Sequence, residues 1–244
     1  MIKGDYNMLS KKNISAVIVF SYLILTYSFP LIFTGKEHLF LTDEDGLFET
    51  AGALMYLLAS ILFICLYFIS KSGNDFIFFK TKKNLFYLLL GLLFFICFGE
   101  EISWGQRIFN IATPEAIARI NVQNEINVHN IFFLDRFGKQ GREIWLTSSR
   151  LLAIFWFLYC ILIPILQNNF KKLSIFFAKL NLPIVPIWIG SLFILNYIFS
   201  KLYEKIPDHL YVLDIIEIKE ANTGSLFLAC ALYFYFAFAK ESQS

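Results

Sequence analysis

Two adjacent carboxylates, Glu100 and Glu101, follow an apolar run from Leu85 to Phe98 that contains no turn signal. A helix needs ~20 residues, at a rise of ~1.5 Å each, to cross ~30 Å of hydrocarbon. Counted from Leu85, the far interface falls near Trp104, so both carboxylates are predicted inside the outer part of the membrane. Placing an ionised carboxylate there costs roughly 2.5 to 3.5 kcal/mol unless it is neutralised, paired with a cation or in contact with water. The pair therefore predicts a polar site.

A cation on the same helical face is the simplest partner for these carboxylates. Positions 100, 103 and 107 follow an i, i+3, i+7 spacing, which aligns Glu100, Ser103 and Arg107 if the helix continues. Arg107 is therefore one candidate partner of Glu100.

A second polar stretch lies about twenty residues downstream, between residues 121 and 130. Read as a helix, it stacks Glu125 and His129 at i, i+4; read as a strand, it also places them on one face. Dense polar groups beside a membrane each need a partner. The period-two alternation involves Asn121, Gln123, Glu125, Asn127 and His129.

Further carboxylates belong to the second span and to the last outer segment. Glu49 lies a turn inside the second apolar run, with Ala53 and Tyr56 continuing its face. Glu217 and Glu220 are three residues apart and share a helical face in the last outer segment. Together with Asp214, Glu217 and Glu220 are predicted to present carboxylates to one outer vestibule.

These residues support two chemistries, one catalytic and one metal-dependent. The predicted catalytic residues are Glu100, Glu101, Glu125 and His129, with His129 as general base and a carboxylic acid as proton donor. Histidine with carboxylates also suits a divalent transition metal, although HExxH and HxxxH are absent; the predicted ligands are Glu101, Glu125 and His129. Predicted substrate or network residues are Glu49, Ser103, Trp104, Gln106, Arg107, Gln123, Asn127, Asn130, Glu217 and Glu220.

A purely structural alternative remains open beside both chemistries. The same polar groups can form a satisfied hydrogen-bond network that pins the outer segment into the bundle. Its predicted members are Glu100, Arg107, Gln123, Glu125, Asn127 and His129.

The elements that must position these residues are apolar helices. The chain is 57% hydrophobic and contains 29 phenylalanines, which a soluble domain of 244 residues would not carry in long uncharged runs. We predict an all-α polytopic integral membrane bundle, a single domain over 1–244, with a partly ordered extracytoplasmic segment between helices 3 and 4. About six transmembrane helices are predicted, at 14–33, 47–69, 85–104, 149–166, 182–200 and 221–239.

Two expectations concern how these helices pack. The glycines form no small-xxx-small pattern, which favours contacts made by Phe, Leu and Ile. Each cysteine stands alone in an apolar run, so all are predicted to be core residues; they are Cys65, Cys97, Cys160 and Cys230.

Charge distribution predicts the orientation in the membrane. An even number of spans places both termini on one side, which is rich in lysine and therefore cytoplasmic by the positive-inside rule. All of the 19 acidic residues except Asp5, Asp75 and Glu241, and all 3 histidines, then fall on the outer side. We predict a multi-pass protein of a bacterial-type inner (plasma) membrane. The scattered basic residues, with a net charge of only +2, do not indicate nucleic-acid binding.

Three function classes remain open, and only the first is an enzyme. The favoured one is a membrane-embedded hydrolase or transferase acting on a lipid or lipid-linked substrate, with a pocket open laterally to lipid. A chain with several spans, and with acidic and histidine residues at one end of them, is similar in kind to the metal-dependent lipid hydrolases of the ceramidase-like group. The multiple-histidine pattern of that group is absent from this sequence. The alternatives are a proton- or cation-coupled transporter and a non-catalytic membrane partner or sensor. The sequence gives no oligomeric state.

Overall fold

The computed structural model describes residues 2–32, 46–131, 147–203, 205 and 212–241. Within these ranges the chain is helical, with isolated β-bridges only at Asp75–Lys80 and Asn121–Ile131. The helices are α1 (Ile2–Ile32), α2 (Leu47–Ile69), α3 (Leu85–Glu101), α4 (Gln106–Phe109), α5 (Glu115–Ala118), α6 (Ser148–Asn169), α7 (Lys171–Lys179), α8 (Ile187–Tyr203) and α9 (Val212–Glu241).

Three helices are long and apolar enough to cross a membrane: α2, α6, and α9 over Ile215–Lys240. Shorter apolar stretches occupy Ala16–Phe29 of α1 and all of α8. This is the structure expected of a helical membrane protein. The predicted span 47–69 coincides with α2, whereas α9 begins well before the predicted position 221.

Helix α2 lies at the centre of the site-bearing part of the bundle, packed along both α3 and α9. Ser60 Oγ donates a hydrogen bond of 2.8 Å to Gly91 O, and Tyr56 stacks against Phe94 with ring centroids 6.2 Å apart. From one contact to the next, the residue number rises in α2 and falls in α3, so these two helices are antiparallel. The start of α2 and the end of α3 therefore meet at one end of the bundle.

Helices α2 and α9 run parallel and approach closely. A Cβ added to Gly52 would stand 3.1 Å from Ala221 Cα, and one added to Gly224 would stand 3.0 Å from Gly52 O. Farther along, the rings of Phe63 and Phe234 lie 6.2 Å apart. The predicted contacts of Phe, Leu and Ile are therefore joined here by small residues, which let the two backbones approach. We call the end where α2 and α9 begin and α3 ends the acidic end.

An aromatic core fills the bundle next to this end. The ring of Phe227 lies 4.5 Å from that of Phe94 and 4.9 Å from that of Phe193, and all three side chains are buried. Such pairs contribute about 0.5–1.5 kcal/mol each beyond their area burial. The core holds α3, α8 and α9 at fixed positions around α2.

A wide turn in α6 explains another close approach. Residues Leu158–Leu162 form a π-helical turn just before Pro164, which lacks the N–H that would bond the carbonyl of Cys160. That carbonyl faces α8, where a Cβ on Gly190 would stand only 2.2 Å from the Cys160 oxygen. Glycine is therefore required at this crossing of α6 and α8.

The cysteines divide between the core and the surface of the bundle. Cys160 and Cys230 are buried as predicted, Cys97 is half-buried, and Cys65 is exposed. The core assignment of Cys65 is wrong because α2 is apolar on every face, so its sequence pattern does not distinguish core from outward positions.

Candidate functional site

A left-handed turn ends α3 directly after the paired carboxylates. Ser103, Trp104 and Gly105 have φ values of 47°, 53° and 79°. Only glycine adopts this region freely, and other residues held in such regions cost of order 1–3 kcal/mol each. The backbone of Ser103 and Trp104 is therefore held by contacts from elsewhere in the chain.

This turn overturns the predicted alignment of Glu100, Ser103 and Arg107 on one helical face. The i, i+3, i+7 spacing requires a continuous helix, but α3 ends at Glu101 and not at the predicted Trp104. Ser103 consequently points to other partners, and the side chain of Arg107 lies outside the described part of the structure.

Trp104 folds back over the end of α3. Its Nε1 donates a hydrogen bond of 2.7 Å to Glu100 Oε1. A Cβ on Gly99 would stand 2.8 Å from the Trp104 ring, so only glycine leaves room for the indole. The Phe95 ring completes this contact at 6.4 Å in an edge arrangement.

Glu100 connects this turn to the predicted polar stretch. Its Oε2 accepts hydrogen bonds from the backbone N–H groups of Val128, at 2.6 Å, and His129, at 2.9 Å. Nδ1 of His129 lies 3.4 Å from the same oxygen, an ion-pair contact when the ring is protonated. Together with the Trp104 hydrogen bond to Oε1, these donors give Glu100 the hydrogen-bond partners that an ionised carboxylate within a membrane requires.

Glu125 is anchored to the same turn. Its Oε2 accepts hydrogen bonds from Ser103 Oγ at 2.8 Å and from Asn127 Nδ2 at 2.7 Å. Asn127 also donates to Ser103 Oγ at 3.0 Å, and both Ser103 and Asn127 are buried. These contacts come from residues over twenty positions apart, which explains how the left-handed turn is held.

The polar stretch itself forms neither of the two regular structures considered. Asn121 Oδ1 accepts hydrogen bonds from the backbone of Gln123 and Glu125, and its Nδ2 donates to Asn127 O. An isolated bridge to Ile131 closes the loop. Asparagine side chains stabilise turns in this way, so Glu125 and His129 face different partners, Ser103 and Glu100.

Three further predicted network residues lie around this loop. Gln106 Oε1 accepts from Ile126 N at 2.6 Å, and its Nε2 donates to Thr113 Oγ1 at 2.6 Å. Asn130 Nδ2 donates to Gln123 Oε1 near the surface. Gln106 thus ties α4 to the loop, while Gln123 and Asn130 brace its exposed side.

The predicted metal ligands are not assembled. Among the described residues, no three of the His, Cys, Asp and Glu side chains are grouped so that they could hold one metal ion. Glu125 is directed to Ser103 and His129 to Glu100, because the loop turns between them. Glu100 and His129 lie in one group of contacts, and Glu125 and Asn127 lie in a second group with Ser103.

The other carboxylate of the pair, Glu101, faces a different part of the molecule. It lines a cleft of about 350 Å³ together with Glu49 from the first turn of α2. We call this the acidic cleft; its other lining residues are Thr50, Ala53, Leu54, Phe98, Ile102 and Ile108. Leu54 and Ile108 are 48% and 71% exposed, so the cleft opens at the side of the bundle.

Helix α9 carries two more carboxylates near its start, at the acidic end. Glu217, Glu220 and Glu49 all act electrostatically on Glu101. Glu220 Oε1 also lies 3.6 Å from Lys219 Nζ. Glu49, Glu217 and Glu220 thus belong to the first turns of the two helices that begin at the acidic end. Of the remaining outer-side residues, His38 and His209 lie outside the described ranges.

Sequence reasoning missed a buried amide network between α1, α8 and α9. Tyr27 Oη donates to Asn196 Oδ1 at 2.8 Å, and Asn222 Nδ2 donates to Thr26 Oγ1 at 2.9 Å. Asn196 is 2% exposed and Asn222 is 0% exposed. An asparagine inside an apolar run was the available signal, since polar side chains join helices within membranes.

No protein family, curated protein or solved structure matches this chain. The chemistry of the site must therefore be argued from its geometry. The network around Glu100 and Glu125 is built from mutually satisfied groups, whereas Glu49 and Glu101 line a cleft with apolar walls. Two carboxyl groups on one cleft can exchange protons with a bound molecule.

Proposed function

We propose that this chain is a membrane-embedded hydrolase or transferase that acts on a lipid or lipid-linked substrate in the acidic cleft. The observation that carries the proposal is that Glu49 and Glu101 line one cleft whose remaining walls are mostly apolar. A molecule with a polar head and an apolar chain fits such a lining, because each part meets a surface of its own kind. The exposed rim at Leu54 and Ile108 favours entry from the side.

The proposed topology has six spans and places the acidic cleft at the outer face. Helices α1, α3 and α8 supply the spans beyond the three longest ones. Helix α3 has 17 residues, which at ~1.5 Å per residue gives ~25 Å, close to the hydrocarbon thickness. Six spans put both termini on the lysine-rich side, which is the cytoplasmic side of a bacterial-type inner membrane under the positive-inside rule.

Glu49 and Glu101 supply the proposed acid–base chemistry. Two nearby carboxyl groups favour a state in which one is protonated and one ionised, since adjacent like charges repel. The protonated group donates to a leaving oxygen while the ionised group accepts a proton from an attacking hydroxyl or water. Of the predicted catalytic residues Glu100, Glu101, Glu125 and His129, this proposal keeps Glu101 and adds Glu49.

Glu100, Glu125 and His129 are proposed as positioning residues. Their hydrogen bonds hold the left-handed turn that follows Glu101 and the loop over residues 121–131. A fixed turn keeps Ile102 and Ile108 on the rim of the cleft. Precise placement of reacting groups depends on such supporting contacts.

Transport is less well supported. The cleft is followed by Tyr56 and then by the aromatic core, in which Phe94 and Phe227 lie 4.5 Å apart. A carrier requires polar groups that continue towards the other side of the membrane. In the described part of the chain these large apolar rings occupy that place.

The proposal is tested by identifying lipids that remain bound to the purified protein. Leu54→Trp fills the cleft, and Leu58→Trp is the matched control, since Leu58 is also exposed on α2 but does not line the cleft. We expect mass spectrometry to find one lipid class enriched on wild type and on Leu58→Trp, and lost from Leu54→Trp. Identical lipid profiles for all three proteins would contradict lipid binding in the cleft.

Catalysis is tested by incubating the protein with a membrane lipid extract. We expect a product with wild type and none with Glu101→Gln, which keeps the shape of the side chain but cannot exchange the proton. Glu115→Gln, an exposed glutamate that pairs with Arg119, is the control and should retain turnover. Turnover by Glu101→Gln at the wild-type rate would remove Glu101 from the mechanism.

A further inference from the structure

A tight hairpin joins α2 to α3 at the end of the bundle opposite the acidic end. Phe76 N donates a hydrogen bond of 3.0 Å to Phe79 O, which closes a two-residue turn. The tip of this turn consists of Ile77 and Phe78, which are 83% and 93% exposed. Large apolar side chains are more stable in an apolar environment than in water. The hairpin tip is therefore suited to contact hydrocarbon.

The hairpin is held beside the first turn of α3. The ring of Phe76 lies 5.8 Å from that of Phe86, the second residue of α3, and 4.8 Å from that of Phe79. Asn84 N, directly before α3, donates to Ser70 Oγ, directly after α2, at 3.0 Å. The hairpin therefore lies level with the end of α2, a helix long and apolar enough to cross a membrane. A lipid leaflet is accordingly the environment that adjoins this part of the chain.

Asparagine side chains join the hairpin to the turn that follows α7. Asn74 Nδ2 donates to Leu180 O at 2.8 Å, and Asn84 Nδ2 donates to Asn181 O at 2.7 Å. Asn74 and Asn84 are both buried. Because α7 ends at Lys179, directly before these acceptors, the hairpin and α7 belong to one surface.

Lysines dominate the charge of this surface, which comprises residues 70–84 and 169–186 and which we call the basic end. Its lysines are Lys71, Lys80, Lys82, Lys83, Lys171, Lys172 and Lys179. The one acidic residue of these two segments is Asp75, whose Oδ2 lies 3.4 Å from Lys80 Nζ. All of the lysines except Lys83 are exposed. A surplus of positive charge at a membrane surface attracts anionic lipid head groups.

Helix α7 repeats the combination of apolar and basic side chains that the hairpin shows. Lys172, Ile175 and Lys179 follow an i, i+3, i+7 spacing and therefore share one helical face. Ile175 and the neighbouring Phe176 are exposed, as are both lysines. Exposed apolar side chains beside lysines are typical of segments that lie in the membrane interface. Both segments of the basic end thus match the same partner.

We propose that the basic end binds anionic phospholipids of the adjoining leaflet, with the hairpin tip inserted among their acyl chains. Ile77 and Phe78 contact the hydrocarbon, while Lys82 and Lys172 bind lipid phosphates from the two segments. This lipid surface lies at the end of the bundle opposite the acidic cleft and is independent of the chemistry proposed there.

Head-group preference is tested on the full chain, reconstituted in nanodiscs that contain equal amounts of phosphatidylcholine and phosphatidylglycerol. Native mass spectrometry identifies the lipids that each protein retains. We expect phosphatidylglycerol to be enriched by at least about threefold on wild type, because it is the anionic lipid, and the enrichment to be lost in Lys82→Gln/Lys172→Gln.

The matched control is Lys201→Gln/Lys205→Gln, which removes two exposed lysines at and beyond the end of α8. It should keep the wild-type enrichment, as should Leu54→Trp, in which the acidic cleft is filled. Equal retention of both lipids by wild type would overturn the proposal. Equal loss of enrichment in the two double variants would also overturn it, because the preference would then follow total charge and not the basic end.

Insertion of the hairpin tip is tested with Phe78→Trp, measured as the tryptophan emission added to that of wild type. We expect lipids brominated on their acyl chains to quench this added emission, and iodide in the aqueous phase to leave it largely unchanged. Quenching by iodide alone would place the tip in water and overturn the proposal. Protection from both quenchers, with a dimer in the mass spectrum, would assign the tip to a second copy of the chain and overturn it as well.

Discussion

Ser103 Oγ donates a hydrogen bond of 2.8 Å to Glu125 Oε2 from a backbone held at a φ of 47°. The contact joins the turn at the end of α3 to a loop more than twenty residues later. It therefore combines a favourable charge-assisted hydrogen bond with an unfavourable backbone conformation, and substitutions can separate the two.

Ser103→Ala and Ser103→Gly are expected to differ in stability. Both remove the hydroxyl, which should cost about 1–3 kcal/mol because Glu125 Oε2 loses a charge-assisted hydrogen bond and keeps the one from Asn127. Glycine also relieves the left-handed backbone, which costs roughly 1–2 kcal/mol for other residues. Ser103→Gly should thus be the more stable variant in a chemical unfolding experiment.

The matched control is Ser149 in the first turn of α6, where the backbone is helical. There, Gly should be less stable than Ala by up to about 1 kcal/mol. The same order at both positions would show that the turn at Ser103 is not strained in solution.

Gly99→Ala is expected to displace Trp104. The added Cβ would stand 2.8 Å from the indole, and the Trp104–Glu100 hydrogen bond would be lost with the movement. We expect a loss of about 1–3 kcal/mol and a shift in tryptophan fluorescence.

A double-mutant cycle isolates this contact. In a Trp104→Ala background, Gly99→Ala should cost much less, since the clashing ring is gone. Equal costs in both backgrounds would mean that the indole does not lie over Gly99.

The parts of the structure predicted from sequence are those set by local composition. Helix α2 was predicted at its observed bounds because residues 47–69 are mostly apolar, with Glu49 as their one charged residue, and acidic residues precede them. The many hydrogen bonds of the polar loop were predicted because amides and charges near a membrane need partners. Neither inference required knowledge of contacts distant in the sequence.

The parts that were missed depend on such distant contacts. Ser103 and Trp104 show no local preference for a left-handed turn, and the hydrogen bonds of Ser103 to Glu125 and Asn127 come from a loop more than twenty residues later. The partner of His129 likewise depends on how the loop folds over Glu100. Asn222 was not predicted as part of a polar network, because only charged residues inside the spans, and not neutral amides, were taken as candidates.

Asn222→Leu is expected to destabilise the bundle by about 0.6–1.7 kcal/mol, the range measured for hydrogen bonds between membrane helices. The substitution leaves the buried Thr26 hydroxyl without its amide partner on α9. Adding Thr26→Val should cost less than it does alone, because both polar groups are then removed. Unfolding by SDS titration in mixed micelles measures both values.

Ser191→Ala provides the control for this pair. Its hydroxyl bonds only within α8, to Trp188 O, on the exposed side. It should change stability by less than about 0.5 kcal/mol. Strictly additive losses for Asn222→Leu and Thr26→Val would indicate that the two side chains do not interact.

Gly52→Leu should affect both stability and ligand binding. Even a Cβ at this position would approach Ala221 Cα to 3.1 Å, so the larger side chain must push α2 away from α9. We expect a loss of about 1–3 kcal/mol or more. Because Glu49 on α2 lines the acidic cleft, the cleft should change shape and the purified protein should retain less bound lipid. Leu58→Val, on the exposed side of α2, should leave both unchanged, and a Gly52→Leu protein that retained wild-type stability and binding would show that this backbone contact does not set the geometry of the cleft.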